Sequence, residues 1–194
     1  MIGYFPEPYY DELWYSVCAR FSERMRFGTE TGVMLALYGR RHSIAIVDLP
    51  HRLQSVALQL PPGHSCTTNN IIDRHTFLPY YGPFLTVDSY FTVRRLMEDG
   101  TKPSVRVRCG ACTNRVRPPK YFRSCPICDR ENREKNRETY WRRLFQLPGV
   151  EVCPIHNVFL EPSDIRLDPL SNRHKYFSAE SARLVRVRIN SSMT

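Results

Sequence analysis

The sequence lacks any long hydrophobic run. Apolar residues make up 42% of the chain but are scattered, and no run approaches the roughly 20 residues that a membrane-spanning helix needs. The N-terminus, residues 1–6, has no basic region and no long apolar core, so it is not typical of a secretory signal. We therefore expect a cytoplasmic protein without membrane contact, and in that reducing compartment paired cysteines indicate metal ligands before disulfides.

Catalytic signatures are also missing. The sequence has no glycine-rich phosphate loop, no H-E-x-x-H motif and no G-x-S-x-G turn. Two pairs of acids, Asp11–Glu12 and Glu98–Asp99, fall at expected helix ends, where capping or solvated surface accounts for them. We therefore expect a protein that is not an enzyme and has no small-molecule substrate.

Acidic residues are scarce in one part of the chain only. Residues 101–143 carry 13 Lys and Arg against 4 Asp and Glu, whereas the rest of the chain has 15 of each kind. A surplus confined to one segment favours a polyanionic partner, most simply DNA, although a solvated helix face or an acidic protein partner would explain the same pattern. The side chains expected to contact DNA are those of Lys120, Arg123, Arg133 and Arg137.

The first hundred residues have the periodicity of a helical bundle. Apolar side chains recur at steps of three and four within five predicted helices, at residues 11–27, 29–38, 50–60, 69–78 and 86–97. The second and third helices could form a helix-turn-helix, and the spacing is equally consistent with a plain bundle.

The character of the sequence changes after residue 101, where prolines, arginines and cysteines dominate. There we expect a short strand at 105–107, a helix over about 129–145 and a strand at 184–189. The predicted fold is mainly α. A helical, helix-turn-helix-like region (1–100) precedes a Cys₃His zinc-finger region with minor β structure (101–163) and a C-terminal extension (164–194).

Two matching tetrapeptides predict a metal site. Both begin Cys-Pro-Ile, and they run from Cys125 to Cys128 and from Cys153 to His156. Each turn puts two ligand atoms on one side of a tight loop, and proline stiffens that loop. Four protein ligands leave no open position, so we expect one structural Zn²⁺. Binding energies of about 10–16 kcal/mol for such sites are comparable to the stability of a whole domain, so this region should require its metal.

A further pair, Cys109 and Cys112, precedes the first tetrapeptide, with 12 residues between Cys112 and Cys125. That spacing would also fit a Cys₄ site with Cys125 and Cys128, but it would leave Cys153 and His156 without a role. We therefore favour the Cys₃His site. Cys109 and Cys112 then either belong to a second site, with further ligands that the sequence does not identify, or form a simple turn.

Three blocks of the sequence resemble a known family. The first is residues 5–20, which begin Phe-Pro-Glu-Pro-Tyr-Tyr, and the second is residues 75–81, His-Thr-Phe-Leu-Pro-Tyr-Tyr. The third and most specific is residues 123–156, which contain both metal tetrapeptides, Tyr-Trp-Arg-Arg at 140–143 and Gln-Leu-Pro-Gly-Val at 146–150. Together these blocks, within residues 4–160, resemble the TniQ/TnsD family of transposition proteins.

The resemblance implies a bacterial target selector for a cut-and-paste transposon. Such proteins recruit an AAA+ ATPase, TnsC, to a site that is recognised on DNA or through an RNA-guided CRISPR effector. Longer members carry further DNA-reading domains after the zinc block, so we expect this chain, which ends at Thr194, to be a short member or the N-terminal part of a longer one. The alternative is a stand-alone DNA-binding regulator with zinc and helix-turn-helix elements.

The segment before the first helix has two prolines and four aromatic side chains. Its prolines restrict the unbound chain, so little entropy is lost when it is ordered on a partner. We predict that it anchors TnsC; the alternative is a hydrophobic lid on the bundle. The aromatic residues are Tyr4, Phe5, Tyr9 and Tyr10.

Overall fold

The computed structural model describes residues 2–29, 31–41, 43–100, 105–110, 116–167 and 173–185. Most elements in these ranges are helical, which confirms the mainly α class. The helices are α1 (Trp14–Met25), α2 (Gly32–Tyr38), α3 (Leu53–Ala57), α4 (Thr68–His75), α5 (Leu78–Tyr81), α6 (Val87–Asp99), α7 (Val105–Arg108) and α8 (Pro126–Asn136). Strands β1 (Tyr121–Ser124) and β2 (Glu161–Arg166) pair antiparallel. No helix in the described ranges is long and apolar enough to span a bilayer.

Local capping explains where α4 and α6 begin. The hydroxyl of Thr67 accepts a hydrogen bond from the backbone N–H of Asn70, and Thr86 accepts one from Ser89. Each bond satisfies one of the backbone donors that the first turn of a helix leaves free. The sequence therefore predicted these helices, and α1 to α3, within a few residues of their bounds.

The start of α1 corrects the predicted cap. Leu13 precedes the helix and makes no side-chain cap. Asp11 adopts a left-handed φ of 53°. Its carboxylate accepts a hydrogen bond from Nε of Arg143 at 3.0 Å and therefore does not cap the helix. Glu12 is also not a cap or a surface residue, because its side chain is fully buried.

One large core joins the helices to the sheet. The ring of Phe122 in β1 stacks on Trp141 with centroids 4.7 Å apart and contacts Tyr15 of α1 at 5.1 Å. The backbone N–H of Leu13 donates to the carbonyl of Trp141 at 3.0 Å. Tyr176, late in the chain, packs on Tyr15 as well. The three predicted regions therefore contribute to a common core, and their boundaries stay a prediction from sequence.

The connection between α2 and α3 spans residues 39–52. A helix-turn-helix joins its helices by a turn of about three or four residues. The described geometry therefore favours the plain bundle, which was the alternative that spacing left open.

The prediction of a strand at 105–107 was wrong, because these residues begin α7. The N–H of Cys109 donates to the carbonyl of Val105 at 2.9 Å, and Val105 is buried against the large core. Strand propensity of valine is weak enough for such packing to override it. Of the predicted strand at 184–189, Leu184 forms an isolated bridge with Ser163, and residues 186–189 lie outside the described residues.

The helix predicted over 129–145 is shorter and begins earlier. Pro126 occupies its first turn, where a missing N–H costs nothing, and Arg137 ends it with a left-handed φ of 65°. Tyr140 and Trp141, which the prediction placed within the helix, are buried beyond its end.

Candidate metal centre

Two matched turns bring the predicted ligands together. Cys125 immediately precedes α8 and Cys128 lies in its first turn, while the second turn closes where the N–H of Cys153 donates to the carbonyl of Val158 at 2.8 Å. Backbone N–H groups of Ile127 and Cys128 point to the Cys125 sulfur. The N–H groups of the equivalent residues in the second turn point to the Cys153 sulfur.

The distances between the donor atoms match the edges of a tetrahedron around one metal ion. Zinc–sulfur bonds of about 2.3 Å and zinc–nitrogen bonds of about 2.0 Å require sulfur–sulfur edges of about 3.7 Å and sulfur–nitrogen edges of about 3.5 Å. Sγ of Cys128 and Sγ of Cys153 are 3.7 Å apart. Nδ1 of His156 lies 3.5 Å from the sulfur of Cys125, 3.3 Å from that of Cys128 and 3.7 Å from that of Cys153.

The sulfur–sulfur distance also excludes a disulfide, whose bond is about 2.05 Å long. All four donor atoms lie within 4.8 Å of one another, and the three cysteines are buried. A small apolar cluster built on Phe145 and Leu160 encloses the sulfurs, separately from the large core. Three soft thiolates and one imidazole can therefore hold a metal ion away from solvent.

The imidazole is oriented from outside the site. Nε2 of His156 lies 3.2 Å from a carboxylate oxygen of Glu131, so Nδ1 is left to face the sulfurs. Such a carboxylate fixes the ring and makes the coordinating nitrogen more basic.

Backbone donors prepare the second turn for a metal. Burial by itself would raise the pKa of the Cys153 thiol, but the N–H groups of Ile155 and His156, together with the His156 ring, lower it to about 7. Burial raises the pKa of Cys125 and of Cys128. Metal binding must therefore deprotonate those two thiols, which couples affinity to pH.

Comparisons with known proteins place this geometry in a family. The TniQ family model matches residues 3–160, which include α1, the bundle and all four ligands. The chain belongs to the TniQ family. The transposition protein TnsD of transposon Tn7 from Escherichia coli is 30% identical to the TniQ chain over 156 residues, which is 80% of this chain and 31% of that protein. The TniQ chain thus spans about a third of the length of this curated relative.

In the other cysteine pair, Cys109 is separate from the TniQ metal centre. Cys109 follows α7 and is buried in the large core, where burial, with Asp48 nearby, raises its pKa to about 12. Cys112 lies outside the described residues. Among the residues that the structure describes, the only group of potential ligands close enough to share one metal is the Cys₃His group.

The four side chains predicted to contact DNA lie in different settings. Lys120 and Arg137 are exposed, and Nε of Arg133 pairs with Glu180 at 3.1 Å. Arg123 is a correction, because it is only 6% exposed. Its guanidinium donates to the carbonyls of Phe145 and Leu147 and to Glu151 at about 3 Å, so it braces the chain that leads to the second metal turn.

The four aromatic residues of the N-terminal segment also differ in their exposure. Phe5 is buried, with its ring 4.9 Å from Phe21, and the hydroxyl of Tyr9 donates to Glu138 at 2.7 Å. These two residues form a lid on the bundle. Tyr4 is partly exposed and its hydroxyl accepts from Arg24, whereas Tyr10 is 87% exposed.

Sequence reasoning missed a buried ionic network beneath this lid. The carboxylate of Glu12 pairs with Arg20 at 2.8 Å, and Arg20 pairs in turn with Glu138 at 2.9 Å. Ser16 also donates to Glu12 at 2.8 Å. A signal was present, because Glu12, Ser16 and Arg20 are spaced by four and so share one face of α1.

Proposed function

We propose that this TniQ chain is a non-enzymatic adaptor in transposition target selection, which brings an AAA+ ATPase of the TnsC type to a target site in the bacterial cytoplasm. The observation that carries this proposal is the family match over residues 3–160, together with the likeness to a Tn7 transposition protein. The match includes the lid, the bundle and the metal centre in one continuous stretch.

In this proposal the metal is Zn²⁺ and its role is structural. Thiolate and imidazole donors suit zinc, and the edge lengths fit its tetrahedral geometry. Four protein ligands leave no coordination position for a substrate or a reacting water. The centre would instead hold the start of α8, the return connection and the second turn in one arrangement.

The helical half has an exposed surface suited to a protein partner. Phe84, Val87 and Phe91 are 82%, 71% and 61% exposed. Val87 and Phe91, four residues apart, lie on one face at the start of α6, and Phe84 ends the short helical turn that precedes it. Neighbouring exposed aromatic side chains are typical of interaction sites. We therefore propose this surface, with Tyr10, as the ATPase contact, in place of the buried Phe5 and the packed Tyr9.

The direct test is capture of a purified TnsC-type ATPase by the immobilised chain in the presence of ATP. The double variant Phe84→Ser, Phe91→Ser should reduce capture at least tenfold while the melting temperature stays nearly unchanged. Phe159→Ser is the matched control, because Phe159 is 63% exposed but lies beside the metal turn. Absence of capture by the unaltered chain would reject the adaptor role.

A second arm of the same experiment identifies how the target is reached. The chain is offered target DNA or a purified CRISPR effector complex, and the ATPase is added afterwards. Capture of the ATPase together with either DNA or the effector complex identifies which of the two the chain connects to the ATPase. Binding to DNA without any ATPase recruitment would instead support the alternative of a stand-alone DNA-binding regulator.

A further inference from the structure

A cavity of about 540 Å³ lies away from the metal centre, between the bundle and the end of the sheet. Its apolar wall includes Ala45, Phe77, Tyr81 and Leu167, and Pro118 and Pro119 line another part. This volume is within the range of about 300–1,000 Å³ that is usual for small-molecule sites. The cavity can therefore enclose a group as large as a nucleobase.

Besides Arg106, which pairs with Asp48, four cationic side chains line this cavity. Arg117 and Lys120 precede β1, Arg166 ends β2 and Arg173 comes from a later segment, so three separate parts of the chain contribute. All four residues are exposed, and none makes an ion pair with an acidic side chain in the described ranges. The acidic residue of the described lining, Asp48, is paired with Arg106 at 2.9 Å.

Several other arginines of the chain are held by acidic side chains. Arg20, Arg94 and Arg143 each pair with a carboxylate within 3.0 Å. Four unpaired like charges around one opening repel one another, and water and salt reduce that repulsion without removing it. Bringing them together from three segments creates a local field that favours an anion.

One residue of the cavity lining, His51, has a buried polar atom without a partner. Nδ1 of His51 is buried and makes no hydrogen bond within the described part of the chain. Burial, with Arg52 nearby, lowers the pKa of His51, so its ring is neutral near pH 7. Buried polar atoms are nearly always satisfied, so an atom of this kind points to a ligand with a hydrogen-bonding edge.

We propose that this cavity binds one nucleotide unit, with its phosphate on the four cations and its base against the apolar wall and His51. A phosphate alone would not use the apolar wall, and an apolar molecule alone would not use the cations. The nucleotide could belong to an unstacked strand or be free in solution, since both present the same phosphate and base. This inference concerns a site separate from the ATPase contact and does not depend on it.

Two probes are used with the zinc-loaded chain. Binding of a fluorescein-labelled 15-mer of thymidylate is measured by fluorescence anisotropy, and binding of free ATP is measured by isothermal titration calorimetry. Binding of the 15-mer assigns the site to a strand, and binding of ATP alone assigns it to a free nucleotide. Binding of either probe supports the proposal only if substitutions in the cavity weaken that binding. Binding of neither probe overturns it.

Cavity dependence is tested with charge and shape separately. Arg117→Ala with Lys120→Ala should weaken binding at least tenfold at low salt, and for the 15-mer should reduce the slope of log K against log salt by about 0.7 for each lost phosphate contact. The control Arg95→Ala with Lys135→Ala removes the same charge from exposed positions on α6 and α8 that do not line the cavity, and should change affinity less than threefold. Equal losses from both pairs would mean non-specific attraction and overturn the proposal.

Ala45→Phe fills the cavity without changing charge and should also weaken binding at least tenfold, with an unchanged salt slope. If this variant does not fold, Ile44→Gln makes the corresponding test without a change of charge, because Ile44 lines the cavity but is 42% exposed and tolerates a polar side chain. Unchanged affinity in the folded variant overturns the proposal.

Discussion

Buried charged residues connect distant parts of this chain. Arg20 is enclosed by Glu12 and Glu138, and so joins the start of α1 to the residues after α8. Arg123 does the same inside the metal half through two backbone carbonyls. Each of these charges is compensated in place, because an unpaired charge in a protein interior costs several kcal/mol.

Glu12 should make stability depend on pH. Burial raises its pKa from 4.5 to about 7, even though Arg20 acts in the opposite direction. The folded state therefore retains a proton that the unfolded state releases, and this contribution to stability is lost as pH rises from about 4.5 through about 7. A shift of this size corresponds to about 3 kcal/mol.

Glu12→Gln should remove that dependence while it keeps the shape of the side chain. Between pH 5 and pH 7.5, the free energy of unfolding of the variant should rise relative to that of the unaltered chain by up to about 3 kcal/mol. Urea unfolding with zinc present measures this difference. Glu98→Gln is the control, because Glu98 lies on the surface of α6 in an (i, i+4) pair with Arg94. Parallel pH profiles for Glu12→Gln and the unaltered chain would contradict the buried, titrating carboxylate.

Metal content gives a test of the four ligands. Cys128→Ser should reduce bound zinc from about one equivalent to less than a tenth and unfold residues around the turns, because an incomplete site loses most of its binding energy. Cys109→Ser replaces another buried cysteine and should leave the content unchanged. Elemental analysis measures both. A loss of zinc in the Cys109 variant would instead support the second site with Cys112.

At the scale of elements, the segment before α1 behaves as part of the core. Phe5 contacts Trp14 and Phe21, and the carbonyl of Phe5 lies 3.2 Å from Nε2 of His64. The segment is therefore held by both side-chain and backbone contacts.

Phe5→Ala should lower the free energy of unfolding by about 3–5 kcal/mol, as large-to-small changes in a core do. Tyr10→Ala, in the same segment but at an exposed position, should change it by less than about 0.5 kcal/mol. Chemical denaturation of both variants makes the comparison. Equal effects of the two substitutions would show that the segment does not act as a lid.

At the scale of the whole molecule, the shared core couples the metal centre to the bundle. The stack of Phe122 on Trp141 lies between α1 and the metal-binding half, and the carbonyl of Asp11 accepts from the N–H of Arg143 at 2.7 Å. Loss of the metal should therefore lower the stability of the bundle as well as that of the metal-binding half.

Removal of zinc by a chelator should lower the melting temperature of the whole chain in one cooperative transition. Circular dichroism at 222 nm reports mainly on the helices, and tryptophan fluorescence reports on Trp14 and Trp141. The two signals should shift together, since cooperative unfolding gives coincident transitions. If the helical signal kept its original midpoint while the fluorescence changed, the two halves would be independent.

The metal ligands and the main helices could be predicted from the sequence because they depend on local chemistry. Two Cys-Pro-Ile turns need only their own spacing to present paired donors, and α4 and α6 start at threonine caps with one or two residues between prediction and structure. The periodicity of α1 likewise follows from adjacent turns of one helix.

Tertiary structure decided what depends on contacts between remote residues. Val105 joins a helix, and not the strand its type favours, because the large core buries it. Asp11, Glu12 and Arg123 are of residue types that usually lie on the surface. Here each is bound by a partner more than one helical turn away in the chain. The four cations around the cavity also come from three separate segments of the chain. Local sequence determines which bonds a residue can make, but burial and distance between remote segments determine which of them form.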